Sequence, residues 1–199
     1  MQVRAITITG VTNVDAGVDL IRDQVLPICH GLQGYLGTTV SADRANGLVG
    51  ILTMWASVED RDASNDALAQ SRVDVANVLG GTFTVENYEQ VTLEVVGIPT
   101  VGSALSVARL SMSPDKVDEN VAYFKSTPLP EMVATPGVQA VRNLINRETG
   151  QGIVGVVFSD QDALMAAAGA AVARREAATS MGITFESISI REILLLDVK

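Results

Sequence analysis

The chain opens on QVRAITIT, residues 2–9, where apolar and polar positions alternate with a period of two, as in a strand with one buried face. From Val14 the period changes. Val14, Val18, Ile21, Val25 and Ile28 recur at spacings of four and three, one apolar stripe along a helix. Thr12 with Asp15 gives that helix a start signal and Gly31 a stop. LQGYLGTTVS and LVGILTMW, joined by the turn ADRANG, read as a hairpin. Ser57 with Asp60 opens a second helix that runs to Leu79 and stops at Gly80-Gly81. FTVENYEQVTLEVV closes the unit as a strand, and the order is βαββαβ.

The second half repeats that order. ALSVARLSM is a strand, and SPDKVDENVAYF starts a helix with Ser113 as N-cap and Pro114 at its first position. GVQAVRNLIN, the turn RETGQG and IVGVVF form a hairpin; Ser159 with Asp162 opens the next helix, and ITFESISIREILLLDV is the last strand. GLQG at 31–34 answers GVQA at 137–140, GLVGIL at 47–52 answers GIVGVV at 152–157, and SVED answers SDQD. These matches predict a tandem duplication, with units at 1–97 and 104–199 and a Gly/Pro linker at 98–103. A βαββαβ unit is the ferredoxin-like motif, an antiparallel sheet with both helices on one face and the other face uncovered. The expected fold is therefore α+β: two tandem ferredoxin-like units whose antiparallel sheets pack on one another across a pseudo-twofold axis.

Composition narrows the function. Hydrophobic residues make up 47% and charged residues 19%, ample for a buried core. Fourteen basic residues against 23 acidic ones give a formal charge of −9, which argues against nucleic acid and against anionic membrane surfaces. The imbalance is concentrated in residues 1–99, with 5 basic and 12 acidic side chains against 9 and 11 in the remainder. No apolar run approaches the roughly 20 residues of a membrane span, and the first residues alternate like a strand rather than a signal peptide. A single cysteine, Cys29, fits a reducing compartment. A cytoplasmic location is expected.

LPICHGLQGYLG, followed by a turn, GLVGILTMWASVEDRDAS and a helix, resembles the dimeric α/β-barrel superfamily, especially its antibiotic-biosynthesis monooxygenase-like branch. Pro27, Leu32, Gly34, Trp55, Ser57 and Glu59 carry the resemblance. It implies a barrel made within one chain, with a pocket between the sheet and helices of each unit and the strand-end tryptophan contributing to it. It also implies either a cofactor-free oxygenase of aromatic molecules, a heme-degrading enzyme, or a protein with no known reaction. The first strand has threonines where such enzymes commonly place an asparagine, and the helix after Trp55 lacks the histidine of heme-degrading members. The second half has VFSDQD where the first has MWASVED, so a working pocket is expected in the first half.

The residues themselves offer little chemistry. His30 is the only histidine, hence the one neutral-pH base, although a place at a helix end favours it for the dipole alone. Cys29 reads as a small core hydrophobe. Glu59, Asp62 and Asp66 share a helix face, which reads as solvated, and no metal-ligand set is visible. No dinucleotide or nucleotide motif follows a strand, so no cofactor is expected. Trp55, at the end of LVGILTMW, is the candidate wall of a ligand cavity or the largest plug in a core, with Tyr35 and Met54 as weaker companions. The Ala-rich helix ALMAAAGAAVARREAA is expected to lie close to its sheet and leave little cavity in the second half.

Two functions follow: an enzyme resembling cofactor-free monooxygenases, acting on an aromatic or apolar small molecule, or a non-catalytic ligand-binding or interaction module of the same fold. The pseudo-dimer within one chain is expected in both, and further pairing as a homodimer is left open.

Overall fold

The structure is a computed structural model and describes residues 1–199. Strand β1 (Gln2–Thr9) pairs antiparallel with β3 (Leu48–Trp55), from Gln2 opposite Trp55 to Thr9 opposite Leu48. On its other edge β3 pairs with β2 (Tyr35–Asp43), where a bulge follows Tyr35. In the second half β5 (Ala104–Ser111) pairs with β7 (Gln151–Phe158), and β7 with β6 (Val138–Ile145), again with a bulge after the first residue. The long strands β4 (Thr82–Val95) and β8 (Thr184–Val198) end each half. The hydrogen-bonded strand order β1-β3-β2-β8-β5-β7-β6-β4 closes on itself as an eight-stranded antiparallel barrel.

Two compact units divide the chain, one of residues 1–87 with 192–199 and one of residues 88–191. Their boundaries fall inside β4 and β8. The end of β8 pairs with β2, from Gly37 opposite Val198 to Ala42 opposite Glu192, while the end of β4 pairs with β6. Gly97 to Ser103 is irregular and is tied to the second unit: the Val96 and Gly97 N–H groups both donate to Gln139 O, and Ser103 Oγ donates to Gln139 Oε1 at 3.0 Å.

In the first unit the predicted helix after β1 is α1 (Val14–Leu20), one π turn (Ile21–Val25) and α2 (Leu26–Gly31). The wider turn rotates the apolar stripe. Ile28, the last residue of the predicted stripe, is therefore 42% exposed, and Cys29 takes the buried position. The second helix is likewise two pieces, α3 (Val58–Ala67) and α4 (Ala69–Leu79), meeting at the buried Leu68. Ser57 caps α3 as expected: its Oγ accepts the Asp60 N–H at 3.1 Å and donates to Asp60 Oδ2 at 2.8 Å. Ile8, Ile21, Val40, Val49 and Leu79 form the centre of this unit's core.

The second unit has a 3₁₀ turn (Pro114–Lys116), α5 (Val117–Ser126) and α6 (Pro128–Val133) on one connection, then α7 (Gln161–Ala166) and α8 (Ala168–Ser180) on the other. Val117, Phe124, Val141, Ile145 and Leu164 centre its core. Here the expected N-cap is corrected. Asp160, not Ser159, caps α7, accepting the Ala163 N–H at 2.8 Å, because Asp160 occupies the extended residue that precedes the helix while Ser159 Oγ donates to its carboxylate at 2.8 Å.

Register also corrects the residue matches between halves. Tyr35 faces Trp55 and Val138 faces Phe158, so Gly34 answers Gly137, and both carbonyls accept from the residue after their strand end, Ala56 and Ser159. GVQA therefore answers GYLG at 34–37 rather than GLQG, and Asp160 answers Ser57. The order of elements repeats as expected, while identical letters had slipped against one another.

Close packing of α1 on α4 leaves no room at Gly17, where an added Cβ would stand 2.2 Å from Leu79 Cδ2. Gly17→Ala should cost about 1–3 kcal/mol and Leu79→Ala about 2–5 kcal/mol. The double variant, in which the cavity accepts the methyl, should lose less than the sum in denaturant titration. Additive losses would show that the two do not touch.

Candidate functional site

The end of β3 carries a polar and aromatic cluster in the first unit. Trp55 is fully buried. Its Nε1–H donates to Thr53 Oγ1 at 3.1 Å, two residues back on the same strand face. Tyr35 meets Trp55 edge-on with ring centroids 5.6 Å apart, and Cys29 and Leu68 complete the packing. The Tyr35 hydroxyl donates to Asp197 Oδ2 at 2.6 Å and is bonded to Thr38 Oγ1 at 2.7 Å. His30 Nε2 lies 2.9 Å from the same Asp197 oxygen, with its ring 5.6 Å from that of Tyr35. An ionised carboxylate can only accept, so Nε2–H of His30 is the donor in this contact. Lys199 adds a donor to His30 O at 3.1 Å, and its Nζ stands 5.4 Å from the Tyr35 ring centre.

Burial alone would raise the Asp197 carboxyl. The hydrogen bonds from Tyr35 and His30 reverse this and hold it below the usual carboxylate range. Burial, reinforced by Asp197, keeps the Tyr35 phenol protonated far above its usual range. Burial and then Asp197 push the Cys29 thiol up to about 11, so it stays protonated and is no nucleophile at neutral pH.

Of the four residues singled out in the sequence, His30, Tyr35 and Trp55 come together. Met54 faces the other side of the sheet, as strand alternation requires. None of the four lines either of the two cavities between sheet and helices. Asp197 is the residue that joins the cluster, and reading the sequence alone missed it. Its one signal is an acid interrupting the apolar run LLLDV.

Each unit holds a cavity between its sheet and its helices. That of the first is about 40 Å³ and is lined by Arg4, Cys29, Thr38, Thr53, Leu68 and Arg72 among others. That of the second is about 100 Å³, with Phe124, Met132, Val138, Val154 and Phe158 on its walls. Ala171, Arg174, Arg175 and Ala178 of α8 and Tyr123 of α5 complete it. The larger cavity in the second half corrects the expectation from the Ala-rich helix. Val138 and Phe158 stand where Tyr35 and Trp55 stand in the first unit, and the small side chains of α8 do not make up the missing volume.

No family model matches the chain. The uncharacterised proteins Rv2557 and Rv2558 of Mycobacterium tuberculosis are 26% and 23% identical over 151 and 153 residues. Those stretches are 76% of this chain and 67% and 65% of theirs, so the chain spans about two thirds of these relatives. Among solved structures, a candidate monooxygenase of Fusobacterium nucleatum superimposes with a TM-score of 0.71 at 12% identity, over 100% of this chain and 94% of its own. One from Lactobacillus acidophilus gives 0.69 at 11%, over 99% and 96%. An anthrone oxidase-like protein gives 0.68 at 14%, over 98% and 92%. The chain thus has the ferredoxin-like α/β-barrel fold of the monooxygenase-like proteins. No helix is long and apolar enough to cross a membrane.

A carboxyl whose native pKa is depressed stabilises the fold above the usual carboxylate range and loses that contribution as pH falls through the native value. Asp197→Asn should therefore be less stable than the parent at pH 7, with the gap closing below about pH 4. Tyr35→Phe should lose about 1.5–3 kcal/mol at pH 7, the worth of a hydrogen bond to a charged group. Thermal denaturation at both pH values measures this. A pH-independent gap would mean that Asp197 acts through packing alone.

Proposed function

We propose that the chain binds a small apolar or aromatic molecule between α5, α8 and the sheet of its second unit, and that the bound molecule is a substrate for cofactor-independent oxygenation. One observation carries the binding: the cavity of about 100 Å³ at the place that Tyr35 and Trp55 fill in the first unit. An apolar cavity of about 150 Å³ takes up benzene, so this one is on the scale of a single ring or the end of a larger molecule. Phe124, Phe158, Val154 and Met132 would desolvate the ring, and Ser106, Tyr123, Arg174 and Arg175 would face its polar substituents. The reaction class rests on the barrel's likeness to monooxygenase-like proteins, an argument from fold. In it an electron-rich phenol or enol is itself the reductant of dioxygen, and the protein holds it dry and oriented.

The second reading, a non-catalytic binding module, is favoured by the side chains at the cavity. They include no histidine or carboxylate to serve as a base. Heme degradation fits less well, because His30 bonds Asp197 and lines neither cavity.

Calorimetric titration with 1-naphthol, anthrone and a medium-chain fatty acid tests the site. Saturable binding is expected for at least one, weakened about tenfold or more in Ala171→Phe, which fills the cavity. Oxygen uptake by the complex above the ligand's own rate marks an oxygenase, and binding without uptake marks a binding module. Binding that Ala171→Phe leaves unchanged, or no binding by the panel, overturns the site.

A further inference from the structure

The cavity of the first unit differs in kind from that of the second. Its walls are mostly aliphatic, but one side is cationic. Arg4 on β1 is only 3% exposed. Its Nη1 donates to Ser64 Oγ at 3.0 Å and its Nε to Asn87 Oδ1 at 3.3 Å, both neutral partners. Its ion-pair partner is Asp62, whose Oδ1 is 3.9 Å away and is already held by Arg61 at 2.8 Å. One carboxylate thus serves two guanidiniums.

Arg72 on α4 joins them. Its Nη2 donates to Asn65 O at 2.8 Å and to Asn65 Oδ1 at 2.9 Å, and its Nη1 is buried with no partner. Burial, then the charges of Arg72 and Arg61, lower the pKa of Arg4, against the pull of Asp62; burial likewise lowers that of Arg72, against Asp66. Arginine nevertheless keeps its charge at neutral pH. A chain of net charge −9, whose acids outnumber its bases 12 to 5 over residues 1–99, therefore sets two arginines, Arg4 and Arg72, in the wall of one small cavity, with Arg61 competing for the acid that pairs with Arg4. Buried cations short of counter-charge are costly, and a bound anion relieves that cost.

We infer that this cavity binds a small monovalent oxyanion, of the size of formate or acetate, on Arg72 Nη1 and in the field of Arg4. Size agrees: about 40 Å³ admits roughly three water-sized groups, the number of heavy atoms in formate. Thr53, whose Oγ1 accepts from Trp55, lines the same space and has its own proton to donate. The aliphatic walls of Ile6, Ile51 and Leu68 keep water away and strengthen a charge-assisted bond. The anion is either free or the acidic end of a larger molecule.

The full chain in chloride-free buffer is titrated with formate, acetate and nitrate by calorimetry, with melting temperature measured in parallel and benzoate included for size. Saturable one-to-one binding that raises the melting temperature is expected for the three small anions. Benzoate binding through the same residues would point to the end of a larger molecule, and its failure to a free anion. Arg72→Met should bind about tenfold more weakly or not at all, and without anion should melt no lower than the parent, since it removes a charge short of counter-charge. Arg72→Lys keeps a cation but not the fork, and should also bind more weakly with the fold intact. Undiminished binding by Arg72→Lys, or no saturable binding of any small anion by the parent, overturns the inference.

Discussion

A ferredoxin-like unit leaves a gap between its sheet and its helices that only side chains can fill, and interiors tolerate little void. Much else in this protein follows from how each unit meets that demand. In the first, a tryptophan and a tyrosine at paired strand ends occupy the gap edge to face, and each finds a partner for its polar tip, Thr53 for the indole and Asp197 for the phenol. Buried aromatics with polar tips are stable only on such terms. In the second, phenylalanine and valine hold the paired positions and bring no polar tips with them. The result is an apolar void rather than a packed plug.

The filled end has a consequence for charge. Satisfying the Tyr35 hydroxyl requires an acceptor, and the acceptor comes from the last residues of the chain, 162 positions away in sequence. Asp197 then draws in His30, and Lys199 caps the His30 carbonyl. The only histidine is consequently a hydrogen-bond partner of Asp197 and lines neither of the two cavities. The contact of His30 with Asp197 thus belongs to the closing of the first unit.

Much of this was legible in the sequence, and the illegible parts share a cause. The βαββαβ order and its repetition follow from period and punctuation, since alternation and helical stripes are local properties, while the barrel was implied by the family resemblance. The π turn at Ile21–Val25 is not written in the apolar spacing, which continues at four and three across it, so the burial of Cys29 in place of Ile28 could not be foreseen. Residue matching between halves slipped because glycines and β-branched residues recur often enough to align at more than one offset. Asp197 was invisible because its partners are remote, although an acid within an apolar strand end is a usable hint. Arg4 was the better hint passed over: it shares strand parity with Ile6 and Ile8 and so had to enter the buried side.

That parity bears on how the two cavities differ. A charged side chain on the buried face of a strand is retained only where something compensates it, and Ser64, Asn87 and a shared Asp62 compensate Arg4 incompletely. At the matching strand end of the second unit the wall is Ser106, small and neutral, and the arginines near that cavity sit on the helix that covers it. The first unit thus places fixed positive charge against a small space, and the second places apolar surface against a larger one. If only packing governed these interiors, the unit with the larger side chains would simply be the better filled, and it would have no reason to bury an arginine on a strand face. What distinguishes the first cavity is where its buried arginine comes from: Arg4 is fixed on a strand face beneath it, whereas Arg174 and Arg175 of the second lie on the covering helix.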